Sequence, residues 1–271
     1  MMESVKSDGD INNLENNRIY GNPELSNSTI SFKGVNNLLY CEGNVKIVNS
    51  NFSFEGSNSI VYLSSTQYSQ YSFNLVIYND STFFIGKNNN LSSPININIK
   101  ENQNVVIGAD CSISSGVNIR TADIHPIYDN NDGERINYAK SVFIGDHVWL
   151  GHLSYISRGA KIGSGAIIEN YSFIPHNAII YSNSFVVGNP AKIEKREVFF
   201  IKEFLGYHKA EDSLNTKNYK SDVFIFEFVN HETLDLDKID KILKELNVED
   251  RLEFIQKLFV RNKRKNRFTI K

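Results

Sequence analysis

A segment near the middle of the chain carries the side chains best suited to catalysis. It reads Asp-Ile-His-Pro-Ile-Tyr over residues 123–128, and imidazole is a side chain suited to taking a proton from an attacking nucleophile near neutral pH. His125 is therefore the candidate general base, and Asp123 or a nearby backbone carbonyl could fix its tautomer. Trp149, the chain's single tryptophan, offers a flat apolar ring that could form one wall of a site.

Three further side chains of the same region are candidates for binding a substrate. Tyr128 follows the histidine closely, and Glu134 and Arg135 come a few residues later. An arginine at this position could pair with the carboxylate of an acidic ligand. Alternatively, Glu134 and Arg135 form a local ion pair that holds the segment in shape. Both interpretations stay open.

Aliphatic residues recur every six positions through the second half of the chain. The series is Ile107, Ile113 and Ile119, then, after one interruption, Ile144, Leu150, Ile156, Ile162, Ile168, Ile174, Ile180 and Val186. A short period kept over many turns predicts a solenoid in which the repeated aliphatics stack into an internal column. Chance enrichment in an ordinary β-sandwich would not keep them in phase. The predicted fold class is mainly β, a parallel β-helix.

This period also defines the predicted domains. Looser clusters of apolar and β-branched residues precede it, so the β-helix domain is predicted to span residues 29–195. The interruption at residues 122–141 is an inserted loop, and long loops in compact repeats are usually functional. Residues 1–28 are polar with few apolar side chains to bury, which predicts a flexible N-terminal arm.

Residues 196–271 change to a composition rich in Lys, Glu and Phe and are predicted to be a helical extension. Apolar residues at helical spacing predict one helix from about residue 236 and a second from about residue 250, joined near Asn247. We expect them to cap the solenoid or append to it. The segment 261–267 is strongly basic, which is typical of a solvated tail or of a contact with an anionic glycan or lipid.

Composition excludes several other classes. The formal net charge of -2 gives no global reason to expect nucleic acid as a partner. Cys41 and Cys111 lack companions at metal or redox spacing, so reduced core cysteines are predicted and no metal site. The N-terminus lacks the layout of a signal peptide, and no apolar run suits a spanning helix, which predicts a cytoplasmic protein. Contact with the inner face of the membrane through the basic C-terminus stays open.

Several motifs together carry a family resemblance. The segments His-Pro-Ile-Tyr at 125–128, Gly-Glu-Arg-Ile-Asn at 133–137, His-Val-Trp-Leu-Gly at 147–151 and Val-Gly-Asn-Pro-Ala-Lys at 187–192 resemble those of hexapeptide-repeat O-acetyltransferases, most closely the bacterial polysialic acid and capsule enzymes. The spacing of His125 and Trp149 fits that family's catalytic His and active-site Trp. The resemblance covers about residues 95–200, is weak before that stretch and is absent from the last seventy or so residues.

The resemblance implies a fold, a donor and a set of site residues. The family's β-helices are left-handed and assemble as homotrimers, with active sites between subunits and acetyl-CoA as co-substrate. A backbone N–H, or a donor near Trp149 and Gly151, would stabilise the oxyanion. By matching the family's motifs, further residues would bind the pantetheine arm and the phosphates of CoA; they are Trp149, His152, Asn170 and Pro175 for the arm, and Lys192 and Lys195, with Arg196 beside them, for the phosphates.

Three functional hypotheses follow. The first is transfer of an acetyl group from acetyl-CoA to a hydroxyl of a bacterial surface glycan, with sialic acid favoured because Arg135 could pair with its carboxylate. The second keeps the fold and the base but changes the acceptor to a free sugar or an antibiotic. The third is a non-catalytic trimeric β-helix that binds glycans as a scaffold and would not bind CoA.

Overall fold

The computed structural model describes residues 2–68 and 70–271, with the side chain of Asp8 outside the description. Most of this chain winds into a β-helix whose successive strands visit three sheets, A, B and C. Sheet A holds β1 (Glu3–Val5), β3 (Thr29–Phe32), β5 (Asn51–Phe54), β7 (Phe73–Ile77), β10 (Ile95–Ile99), β13 (Asn118–Arg120), β16 (Tyr155–Ile156) and β19 (Phe173–Ile174). Sheet B holds β2 (Arg18–Ser26), β4 (Leu38–Val48), β6 (Ile60–Leu63), β8 (Thr82–Ile85), β11 (Asn104–Ile107), β14 (Val142–Ile144), β17 (Lys161–Ile162) and β20 (Ile179–Ile180). Sheet C holds β9 (Asn90–Leu91), β12 (Ser112–Ile113), β15 (Trp149–Leu150), β18 (Ile167–Ile168), β21 (Ser184–Gly188) and β22 (Ala191–Arg196).

The six-residue period predicts the core correctly. In each sheet, the aliphatic residues of the period lie in register on neighbouring parallel strands and are buried. Full burial of one such side chain contributes about 1.5–3 kcal/mol, so the stacked columns supply a large part of the folding free energy. The parallel β-helix is thereby confirmed. The columns are Ile97, Ile119, Ile156 and Ile174 in sheet A, Ile107, Ile144, Ile162 and Ile180 in sheet B, and Ile113, Leu150, Ile168 and Val186 in sheet C.

The prediction of a flexible arm over residues 1–28 is wrong for the residues that the structure describes. Strand β1 pairs with β3 and strand β2 with β4, so the β-helix begins at Glu3. A 3₁₀-helix over Asp8–Asn13 lies between them. The few apolar residues of this segment are placed inward, as at Val5 and Ile19, and the strand hydrogen bonds supply the remaining stability. A polar composition therefore concealed an ordinary end turn.

The C-terminal extension contains the two predicted helices. They are α2 (Leu236–Glu245) and α3 (Val248–Ile255); α1 (Ala210–Asn215) precedes them, and a π-helical turn over Gln256–Val260 follows. Asn247 begins α3, because its side chain accepts a hydrogen bond from Asp250 N at 2.9 Å.

These helices cover the outer face of sheet B. A sheet face exposed to water usually carries polar side chains, but the outward side chains of sheet B are apolar. Residues of the extension such as Leu243 and Phe259 bury them. The rings of Phe84 and Phe259 lie 5.0 Å apart. The extension is thus part of the folded domain. The covered column is Tyr40, Tyr62, Phe84, Val106 and Phe143.

Both cysteines are free and buried, as predicted. Burial raises the pKa of the Cys41 thiol to about 12, so this thiol stays protonated. Within the described residues, no helix combines the length and the apolar character that crossing a bilayer requires.

Candidate active site

The inserted loop leaves the β-helix at the corner between sheets A and B. It follows β13 of sheet A and returns to the chain's next strand, β14, in sheet B. A 2.9 Å hydrogen bond from Lys140 N to Thr121 O closes its base. Its tip is a short hairpin in which Ile136 N donates to Ile127 O at 2.9 Å. The loop is therefore held in a defined shape above this corner.

Asn137 organises the loop from inside. Only 1% of the residue is exposed, although its neighbours in the loop are mostly exposed. Its Nδ2 donates to the backbone oxygen of His125 at 2.8 Å and to Asp123 Oδ2 at 2.9 Å. Its Oδ1 accepts from Ile127 N at 2.7 Å. Sequence reasoning assigned this residue no role, because a loop asparagine shows its importance only through its contacts.

His125 is exposed, and its ring makes no hydrogen bond with the described part of the chain. Asp123 does not orient it, contrary to expectation. The Asp123 carboxylate instead accepts from Asn137 and pairs with Arg158 at 3.2 Å. Arg158 follows β16 at the same corner one turn on, so it meets the base of the loop. Both ring nitrogens of His125 are consequently available to a substrate.

Arg135 forms an ion pair, but with a partner that sequence did not suggest. Its guanidinium lies 2.8 Å from Glu101 Oε1, and this hydrogen bond raises the pKa of Arg135 above its ordinary value. Of the two interpretations left open, the local ion pair with Glu134 does not form; the partner is Glu101, which lies on the preceding turn of the β-helix. Glu134 and Tyr128 are exposed on the hairpin. Arg135 therefore fastens the loop, and Tyr128 and Glu134 face outward.

Trp149 lies on the outer face of sheet C at one end of a track. Trp149 is 40% exposed. The strand register aligns it with Ser112 on one side and Ile167 on the other. The same alignment continues to Phe185 and then to Lys195 on the edge strand. Three strand spacings separate Trp149 from Lys195, a distance of about 14 Å. An apolar strip with a cation at its far end suits an extended, apolar chain that ends in phosphates.

The predicted phosphate-binding lysines lie together on β22. Lys192 is aligned with Val187 and Lys195 with Phe185, and both lysines are exposed. Neither forms an ion pair within the described residues. Arg196 differs from them, because its guanidinium stacks over Tyr181 at 4.1 Å. The two lysines are the better candidates for an anionic ligand.

The residues predicted to bind the pantetheine arm do not all lie together. His152 and Asn170 lie one turn apart at the corner between sheets C and A, and His152 N donates to Asn170 Oδ1 at 2.7 Å. The ring of His152 is hydrogen-bonded to Ser115 at 2.6 Å. Pro175 lies elsewhere, at the corner between sheets A and B, on the side of the inserted loop. The single chain thus brings two of these three residues together.

Backbone donors near Trp149 are already engaged. Trp149 N donates to Ala166 O at 2.9 Å and Gly151 N donates to Ile168 O at 2.8 Å, because both belong to the ladder of sheet C. These two backbone N–H groups are therefore not free to bind an oxyanion. Among the described residues the indole N–H of Trp149 has no hydrogen-bond acceptor, and it remains available as a donor.

The single chain separates His125 from Trp149. The loop emerges where sheets A and B meet, whereas Trp149 projects from sheet C, which lies across the triangular cross-section from that corner. Interior side chains fill the space between them. One site containing both residues therefore requires the loop of one chain to reach sheet C of another.

An aromatic stack from the C-terminal extension supports Trp149. Phe200 lies 5.7 Å from the indole, and its other contact is His147, whose ring is sandwiched between Phe200 at 4.2 Å and Phe224 at 4.0 Å. Asp110 fixes His147 by a 2.6 Å hydrogen bond to Nδ1. Burial of the Asp110 carboxyl opposes its ionisation, yet hydrogen bonds from His147 and a neighbouring lysine lower its pKa below the ordinary value. His147 is thus structural, and Phe200 is a site neighbour that sequence reasoning missed.

Comparison with known proteins agrees with this architecture. The bacterial transferase hexapeptide family, a model of six repeats, matches residues 141–176. A polysialic acid O-acetyltransferase of Neisseria meningitidis is 56% identical over 41 residues, which are 15% of this chain and 19% of the relative. One of Escherichia coli O1:K1 / APEC is 32% identical over 82 residues, which are 30% of this chain and 26% of the relative. These alignments therefore span about a quarter or less of each relative's length.

Two solved structures match over most of their length. The polysialic acid O-acetyltransferase OatWY has a TM-score of 0.61 and 27% identity, covering 74% of this chain and 96% of its own. The polysialic-acid-specific acetyltransferase NeuO has a TM-score of 0.59 and 28% identity, covering 75% of this chain and 88% of its own. These matches confirm the predicted left-handed β-helix. By repeat, fold and motifs, the chain is similar to hexapeptide-repeat transferases with a left-handed β-helix, and among them to polysialic acid O-acetyltransferases.

Proposed function

We propose that this chain transfers an acetyl group from acetyl-CoA to a hydroxyl of a sialic-acid-containing bacterial surface glycan. The observation that carries the proposal is the track on sheet C, which joins Trp149 to Lys195 by an apolar strip. Such a strip fits the pantetheine arm, and Lys192 and Lys195 fit the phosphates. Similarity to enzymes named for polysialic acid supports the acceptor.

His125 would perform the proton transfers. Its imidazole would take the proton of the sugar hydroxyl as that oxygen forms a bond to the acetyl carbonyl carbon. The indole N–H of Trp149 is a candidate donor to the oxyanion that develops. When the carbon–sulfur bond breaks, the imidazolium would return its proton to the leaving thiolate, so His125 is neutral again. This route needs no covalent acyl-enzyme.

The site would be completed by a second copy of the chain, in a homotrimer. Because α2 and α3 cover sheet B, the outer faces of sheets A and C remain for packing between copies. A closed ring of such contacts would bring each His125 loop to the next chain's Trp149. Mixing inactive His125→Ala and Trp149→Ala chains, unfolded and reassembled together, should restore about a quarter of the sites at random assembly. No recovery in the mixture would contradict a shared site.

The experiment that tests the function is thiol release from acetyl-CoA with several acceptors. We expect release with oligosialic acid and little with neutral capsule oligosaccharides, free galactosides or aminoglycosides. Since Arg135 is paired with Glu101, the exposed loop residues Tyr128 and Glu134 are the first acceptor contacts to mutate. Release with free sugars or aminoglycosides alone would favour the alternative acceptors. Absence of both release and CoA binding would favour a non-catalytic scaffold.

Replacing Asn137 with alanine should lower kcat by about 10- to 100-fold, because the backbone of His125 loses its anchor and small displacements of a catalytic group are costly. Steady-state kinetics and a thermal melt would be measured together. Melting should change little, since the loop lies outside the core. The control is Asn131→Ala, whose side chain bonds only within the loop tip at Asp129. Equal kcat for both variants would show that Asn137 does not position the base.

Replacing Phe200 with alanine should raise the KM for acetyl-CoA about three- to tenfold, because the indole loses the ring that supports it. Trp149 is the only tryptophan, so its fluorescence reports on this contact directly and should shift to longer wavelength. Phe199→Ala is the matched control, since Phe199 packs on Tyr219 instead. An unchanged emission maximum in Phe200→Ala would contradict this positioning role.

A further inference from the structure

A cavity of about 280 Å³ lies between the β-helix and the C-terminal extension, away from the inserted loop. Its walls come from the corner between sheets B and C, including His147, and from two separate segments of the extension, residues 223–226 and 259–267. It is smaller than a typical drug-sized pocket and suits about one monosaccharide unit. Nothing in the proposed catalytic step uses it.

Both acids that line this cavity are neutralised by neighbouring groups. Asp146 accepts two hydrogen bonds from Arg267, at 2.7 and 2.8 Å. Asp110 accepts from His147 at 2.6 Å and from Lys202 at 2.8 Å. Neither carboxylate is therefore free to balance the other cations of the cavity. Arg267 is structural, because it is buried in its pair with Asp146.

Three lining cations have no acidic partner within the described residues. Lys263 makes no hydrogen bond or ion pair there, Lys265 donates only to the backbone oxygen of Asp222 at 2.7 Å, and Arg264 only to that of His231. Lys87 also lines the cavity and is paired with Glu42 at 2.7 Å. The cavity consequently carries an excess of positive charge.

The surroundings of Lys263 shift its pKa. Partial burial, together with the positive charges of Lys87 and Arg267, lowers the pKa of Lys263 below its ordinary value. Glu42 and Asp146 act in the opposite direction without cancelling the effect. A bound anion would relieve the repulsion among these side chains.

Apolar rings form the rest of the surface. Phe224, Phe226 and Phe259 line the cavity from the extension, and Phe84 lines it from sheet B. Lys265 lies over the ring of Phe226, with its ammonium 6.0 Å from the centroid. A ligand therefore needs an anionic group next to a body with an apolar face. A carboxylated sugar has both, because its ring carbons can pack on an aromatic ring while its carboxylate meets the cations.

We propose that this cavity is an accessory binding site for one carboxylated sugar unit of an anionic glycan, held by Lys263, Arg264 and Lys265 over the Phe224 and Phe226 rings. The choice of an acidic glycan rests on the proposed function, whereas the site does not depend on catalysis. A polymer bound here at one unit would be retained near the catalytic face while another unit reacts, which raises its effective concentration there. A bilayer is a poorer fit, because these cations surround a concavity.

The test is binding of the methyl α-glycoside of N-acetylneuraminic acid to the full chain, measured by titration calorimetry without acetyl-CoA. The Lys263→Ala/Lys265→Ala double variant should raise the Kd at least about tenfold. Its matched control is Lys217→Ala/Lys220→Ala, in which two exposed lysines outside the cavity are lost. The neutral methyl ester of the same sugar should bind the unaltered chain at least about tenfold more weakly than the acid.

Several outcomes would overturn the proposal. Equal affinity of the double variant and the unaltered chain would remove these lysines from the site. Displacement of the sugar by inorganic phosphate at equal concentration would mean a general anion site, and lysine-dependent binding to vesicles with anionic lipid but not to the sugar would mean a membrane contact. Sugar binding that depends on Lys263 and Lys265 in a chain that transfers no acetyl group would keep this site and discard the proposed function. Glycan acetylation by a chain that shows no such binding would keep the proposed function and discard this site.

Discussion

Replacement of His125 by alanine is expected to lower kcat by about 10²- to 10⁴-fold, the usual contribution of a positioned general base. The imidazole is exposed, and its ring has no hydrogen-bond partner within the described chain, so little structure depends on it. The KM for acetyl-CoA should stay nearly constant, because the proposed donor track on sheet C belongs to a different face. Steady-state kinetics with oligosialic acid and a separate measurement of CoA binding would check both statements.

The matched control for this variant is His231→Ala. The side chain of His231 is 79% exposed in the C-terminal extension, and its one ion pair among the described residues is with Glu232, at 4.0 Å. Its loss should leave kcat unchanged within about twofold, which is the scatter expected of surface substitutions. If His125→Ala retained full activity, the proposed mechanism would be contradicted, although the fold and the proposed CoA-binding track on sheet C would not be affected.

Replacement of Asp146 by alanine is expected to destabilise the protein by about 3–5 kcal/mol, the effect of breaking a buried ion pair by removing one partner. The side chains of Arg267 and Asp146 are only 7% and 14% exposed, and two hydrogen bonds join them. Asp146 also accepts from Ala109 N at 2.6 Å. Loss of the carboxylate would leave a buried guanidinium uncompensated and detach the end of the chain from the β-helix.

Equilibrium unfolding in urea would measure this loss as a lower midpoint. Asp237→Ala is the control. Asp237 pairs with Lys161 at 2.6 Å, but its side chain is 85% exposed, and exposed ion pairs contribute only about 0–1 kcal/mol to stability. The double variant Asp146→Ala/Arg267→Met should be milder than Asp146→Ala alone, since it leaves neither charge unpaired. Similar midpoints for Asp146→Ala and Asp237→Ala would show that the pair does not hold the extension.

The repeat and the helices could be predicted from the sequence because each depends on the spacing of apolar residues that are close together along the chain. An aliphatic residue every six positions places Ile144, Leu150 and Ile156 inward on three successive sheets, whichever partners surround them. Helical spacing from Leu236 onward predicted α2 for the same reason. The motif around His125 and Trp149 indicated the family resemblance, since it combines several residues at set distances along the chain.

Other predictions failed where the deciding partner is remote in sequence. Arg135 pairs with Glu101, thirty-four positions earlier, because a coil of the β-helix returns the chain to the same corner. The N-terminal strands looked disordered because their stability comes from pairing with β3 and β4 more than from their own apolar content. Phe200 escaped notice because no local pattern indicates that it will meet Trp149.

Composition and spacing along the chain were enough for the β-helix, the inserted loop, the helical extension and the candidate base, because these follow from periodic burial and from local motifs. Folding in three dimensions settled the rest. It placed Asn137 where it hydrogen-bonds the loop, paired Arg135 with Glu101 and packed Phe200 of the extension against Trp149. It also put His125 and Trp149 on opposite sides of the triangular section, since the sheet a residue joins depends on the number of coils and corners before it.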